Sequence, residues 1–62
     1  MAKKRIGRIL QQERMTRMLT LSQAARSTGM SVWEYLLMEG GEETVPLEKY
    51  IQACVALGIK LS

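Results

Sequence analysis

Capping residues and glycines divide this chain into segments too short for anything but small helices packed on one another. Thr20 reads as a helix N-cap, its hydroxyl placed to accept a free backbone N–H of the turn that follows. Gly29 closes the segment Leu21–Thr28, because glycine tolerates the left-handed backbone that stops a helix. Ser31 caps a third segment, Val32–Glu39, which the Gly40-Gly41 pair ends. After a loop over 41–45, Pro46 presets the dihedral of a first helical turn, and Leu47, Tyr50, Ile51, Cys54, Val55 and Leu57 then recur at helical steps up to Gly58. Ahead of Thr20, the apolar positions Ile6, Ile9 and Leu10 lie among Gln, Glu and Arg and predict an amphipathic first helix from 6 to about 17. Residues 1–5 are polar and basic without a period and read as a flexible arm. Nothing alternates as a strand would. The expected fold is therefore all-α, a compact set of four or five helices forming a single domain over 6–62 behind a basic arm over 1–5.

Composition narrows the function. In 62 residues there is no His, no Asp and one cysteine, Cys54, so a zinc cage, a disulfide framework, a His-based acid/base pair and an aspartate dyad all lack their residues. No metal or cofactor is expected. Gly40-Gly41 lacks the strand, spacing and lysine of a phosphate-cradling loop, and Glu42 and Glu43 beside it would oppose a phosphate, so neither enzyme activity nor a small-molecule substrate is expected. Without staples, a core of this size needs well-packed helices or a partner, either a second copy or another protein. No apolar run is long enough to span a bilayer, and the expected location is the cytoplasm, on the nucleoid if the chain binds DNA. Charge is unevenly placed. Lys3, Lys4, Arg5, Arg8, Arg14, Arg17 and Arg26 face only Glu13 in the first half, whereas Lys49 and Lys60 stand against Glu34, Glu39, Glu42, Glu43 and Glu48 in the second. A basic leading half is a plausible footprint for nucleic-acid phosphate.

Two short helices joined at a glycine-containing turn form the helix-turn-helix arrangement, which can offer its second helix to a DNA major groove. Gly29-Met30-Ser31, Met38-Glu39-Gly40-Gly41, Leu47-Glu48 and Ala56-Leu57-Gly58-Ile59 resemble the Cro and phage-repressor type of helix-turn-helix, the xenobiotic-response-element family, without a gap from 6 to about 61. The resemblance implies a repressor-like domain acting as a small phage- or plasmid-type transcriptional regulator on double-stranded DNA. It places Arg14 and Glu39 as a salt bridge between the first and third helices. It also places Ile6, Leu10, Leu19, Ala25, Tyr35, Met38, Leu47, Ile51, Cys54 and Leu57 in the core.

The chain departs from the family where DNA would be read. Ser31, Val32, Trp33, Glu34 and Leu37 occupy positions where relatives carry mostly polar side chains, Leu21 replaces a common phosphate-contacting Gln, and Glu42 and Glu43 stand where cations are frequent. Two functions fit. In the first, Lys3, Lys4, Arg5, Arg8 and the helix starts at Thr20 and Ser31 hold phosphates, Val32, Trp33 and Leu37 meet apolar base edges, and Glu34 accepts from a cytosine amine. In the second, the domain is a protein-interaction module or antagonist, with Trp33, Leu36 and Leu37 as an apolar anchor. Relatives often dimerise through a fifth helix beyond the point where this sequence ends, so a dimer here is expected to use the last helix, with Tyr50 and Val55 at its edge, or the third.

Overall fold

The computed structural model describes residues 2–60, and Met1 of the expected arm and residues 61 and 62 of the expected domain lie outside them. Four helices follow in order: α1 (Ala2–Thr16), α2 (Leu21–Thr28), α3 (Val32–Glu39) and α4 (Leu47–Ala56), with no strand among the described residues. The bounds of α2 and α3 are those the caps predict. Thr20 Oγ1 accepts from the Gln23 N–H at 3.1 Å while Gln23 Oε1 accepts from the Thr20 N–H at 2.8 Å, a reciprocal pair that satisfies two otherwise free donors. Gly29 takes φ +72°, which lets the Met30 N–H turn back to the Ala25 carbonyl at 2.9 Å. Ser31 Oγ then accepts from the Glu34 N–H at 3.1 Å and opens α3.

The expected arm is not an arm. Residues 2–5 form the first turn of α1, because Lys and Arg favour helix and because this turn is held from elsewhere in the chain. Lys3 Nζ donates to the Glu43 carbonyl at 2.7 Å and lies 3.8 Å from its carboxylate. A Cβ at Gly41 would come within 2.6 Å of the Lys4 Cα, so the loop after α3 rests directly on the α1 backbone.

Leu10, Ala24, Ala25, Met30, Tyr35, Met38, Val45, Tyr50, Ala53, Cys54 and Leu57 make the core, with Ile6, Leu19, Leu21, Leu37 and Ile59 packed partly against it. Leu47 and Ile51, expected in the core, are exposed, and Tyr50, expected at an edge, is fully buried. The apolar positions of α4 form a band wider than the contact available. Only its strip through Tyr50, Ala53, Cys54 and Leu57 is buried, and the Tyr50 hydroxyl donates to the Glu42 carbonyl of the preceding loop at 2.8 Å. Burial also pushes the Cys54 thiol up from its ordinary pKa, which suits a packed apolar group better than a nucleophile.

Two contacts set α3 on α1. At Gly7 any Cβ would collide with the Met38 carbonyl oxygen and lie 2.9 Å from that of Glu39, so the helices meet backbone to backbone. Two turns further on, Arg14 Nε donates to Glu39 Oε2 at 2.6 Å and Nη2 to Oε1 at 3.2 Å, while Nη1 reaches the Leu19 carbonyl at 3.1 Å. The pair is nearly enclosed, with side-chain exposures of 17% and 5%. The Glu39 hydrogen bond raises the Arg14 pKa further, against the cost of burial. Beside them the buried Tyr35 hydroxyl makes no hydrogen bond; burial, with Glu39 adding to it, keeps this phenol protonated far above its usual range.

Two outcomes follow from this packing. Gly7→Ala should destabilise by about 1–3 kcal/mol through overpacking. Gly29→Ala, whose Cβ meets nothing within 4 Å, should lose only the ~1 kcal/mol of left-handed strain. Urea unfolding followed by circular dichroism would contradict the close approach if the two losses were equal. Glu39→Gln should cost about 2 kcal/mol or more by leaving Arg14 enclosed and uncompensated, and the double change to Arg14→Leu with Glu39→Leu should recover part of that loss. A double variant less stable than Glu39→Gln alone in the same assay would show the pair to be uncoupled.

Candidate functional site

With α3 fixed through Tyr35, Met38 and Glu39, its other side is left to solvent. Val32 is 42%, Trp33 68% and Leu36 41% exposed. These positions lie one, three or four residues apart, so on a helix they form one continuous apolar patch over the first turn and a half. Trp33 is not part of the core. Leu37, expected on this surface, instead packs partly against the core one residue before the buried Met38.

The polar side chains of the region are largely committed. The Ser31 and Thr20 hydroxyls are both used as caps, so what the two helix starts offer outward is backbone N–H rather than hydroxyl. Glu34 lies 3.6 Å from Lys49 Nζ of α4, an ion pair with both side chains more than a third exposed, and therefore readily exchanged for another partner. Neither the Glu34–Lys49 pair nor the hold of Glu43 on Lys3 is readable from sequence spacing, since each joins residues far apart in the chain. The Gln23 half of the Thr20 cap was readable, as a Gln three residues after a Thr.

Cations lie beside the far end of α3. Lys4, Arg5 and Arg8 are exposed on α1 and, among the described residues, enter no ion pair. Of these, Lys4 lies against Gly41 in the loop after α3, Arg5 and Arg8 belong to the same first turns of α1, and exposed Glu42 and Glu43 follow in that loop. Arg14 is spent on Glu39. Arg17 is bound to Glu13 at 2.8 Å and to the Leu57 carbonyl. The surface thus combines an apolar patch, an exchangeable ion pair and a short cationic flank. It can bind by burying Trp33 and by attracting anions.

No group of three or more His, Cys, Asp or Glu side chains among the described residues could hold a metal, and none of their helices is long and apolar enough to cross a membrane. Comparison with protein-family models, with curated proteins and with solved structures gave no match.

Proposed function

We propose that this chain is a small DNA-binding transcriptional regulator of the helix-turn-helix type, with α2 and α3 as the paired helices and α3 lying in the major groove. The observation that carries this is the pairing of two eight-residue helices across Gly29, Met30 and Ser31, with the inner side of α3 locked and its Val32 and Trp33 side open. In this scheme Lys4, Arg5 and Arg8 neutralise phosphates, and Lys3 does so on leaving Glu43. Free N–H groups at the starts of α2 and α3 receive phosphate oxygens. Val32 and Trp33 cover thymine methyls, and Glu34, exchanging Lys49 for a base, accepts from a cytosine amine. The chain works without metal or cofactor, catalyses nothing, and acts in the cytoplasm on the nucleoid.

A second function has its own support in the 68% exposure of Trp33 between two half-exposed aliphatic side chains. Tryptophan so placed is a common anchor of protein interfaces, and the domain would then act as an interaction module or antagonist.

Fluorescence anisotropy with a labelled mixed-sequence duplex distinguishes them. The regulator should bind with affinity that falls steeply as salt rises, and replacing Lys4, Arg5 or Arg8 by Ala should each lower the slope of log K on log salt by about 1. A slope near zero would rule the regulator out. Trp33→Ala should change which duplexes a random pool yields while leaving non-specific affinity within about threefold. If instead Trp33→Ala abolishes capture of a protein partner, and the three cation changes leave that capture intact, the interaction module is the correct assignment.

A further inference from the structure

Two helices of this chain begin with the same spacing of cap residues, and the two caps are not in the same state. At the start of α2, Thr20 and Gln23 satisfy one another in both directions. At the start of α3, Ser31 and Glu34 stand at the same interval, and Glu closes such a cap as well as Gln does. Only one direction is made. Ser31 Oγ accepts from the Glu34 N–H at 3.1 Å, but among the described residues the Glu34 carboxylate does not return to the Ser31 N–H. It turns instead to α4, where Lys49 Nζ lies 3.6 Å away. A first-turn carboxylate able to close its own cap is thus drawn off by a cation on another helix. Going round α3, Glu34 lies between the buried Met38 and the partly buried Leu37, and Leu37 leads on to Trp33. The carboxylate therefore stands at the border of the open patch, on the side of α4.

We infer, resting on the assignment of α3 to the major groove, that Lys49 is a specificity-determining residue of that contact: it is the positioning residue that keeps Glu34 out of its own cap and available to a cytosine amine. The two alternatives open to Glu34 are close in strength, because a part-exposed ion pair and half of a capping box are both weak contacts. Loss of Lys49 is therefore enough to change which one is made. A carboxylate folded back on the Ser31 N–H would be drawn away from the patch with an acceptor already engaged. Held by Lys49, it is instead 3.6 Å from its partner, longer than a charge-assisted hydrogen bond of about 2.7–2.9 Å, and its lone pairs remain for another donor. A base amine then has only a solvent-screened cation to displace, and no backbone hydrogen bond to break.

One experiment with two arms tests this. In amide correlation spectra of the free protein, Lys49→Ala should move the Ser31 N–H signal and slow its exchange with solvent by about threefold or more, as Glu34 returns to it. Lys49→Arg should leave that amide as in the wild type, and Lys49→Ala combined with Glu34→Ala should remove the added protection. The second arm takes the duplex that the wild type draws from a random pool and changes each cytosine pair in turn to a thymine pair. At the cytosine whose identity ceases to matter in Glu34→Ala, the wild type and Lys49→Arg should prefer cytosine by about tenfold, and Lys49→Ala by less than about threefold. A Ser31 amide unmoved by Lys49→Ala would overturn the inference while leaving the regulator standing. So would a Lys49→Ala chain that keeps the cytosine preference and loses only salt dependence, since Lys49 would then be a phosphate contact. A wild type that retains no duplex would overturn the regulator and the role of Lys49 together, whatever Ser31 does.

Discussion

Because Gly7 has no side chain, the backbone of α1 can lie on the carbonyls that end α3, and most other features of the molecule depend on that contact. It brings the two helices close enough for Arg14 to reach Glu39 with two hydrogen bonds and still touch the Leu19 carbonyl. It also brings the loop after α3 onto the first turn of α1, where Gly41 rests on Lys4 and Lys3 holds Glu43. A domain of this size has little apolar surface to bury, so fixing the position of an eight-residue helix falls to a backbone contact and an enclosed ion pair.

Fixing α3 from one side has a consequence on the other. Tyr35 and Met38 are fully buried and Glu39 is held, so Val32, Trp33 and Leu36 on the other side of the helix stay exposed among the described residues. An exposed tryptophan on a rigid helix costs little order on binding, because its surroundings are already set. In the proposed function this rigidity is what lets α3 be presented to a groove, with the cations of α1 carried to its far end by the same Gly7 contact. The surface is short of free cations compared with its acidic surroundings. That makes the proposed regulator dependent on apolar base contacts.

What could be read from sequence was what is decided locally. Thr20, Gly29 and Ser31 each act within one turn, and the bounds of α2 and α3 follow from them. The Arg14–Glu39 pair joins residues 25 apart and came only from a family resemblance. Gly7 gave no signal, since a glycine within a helical pattern looks like a weakness until the helix that needs the space is in place. The start of α1 is not legible in the sequence for a related reason: Lys3, Lys4 and Arg5 have no apolar period, and the contact that holds Lys3 lies 40 residues away at Glu43. Along α4 the apolar band was evident but its buried half was not, because Leu47 and Ile51 differ from Tyr50 and Cys54 only in which neighbours reach them.

In the proposed function α3 is held rigidly with Trp33 outward, and duplex DNA is what covers it. Trp33 is the one tryptophan in the chain, so its fluorescence reports on this surface alone. Quenching by acrylamide should be efficient in the free protein and strongly reduced on adding a mixed-sequence duplex at low salt, with protection lost again as salt is raised. Emission that is already shielded in the free chain, or quenching that is unchanged when DNA is bound, would contradict this arrangement.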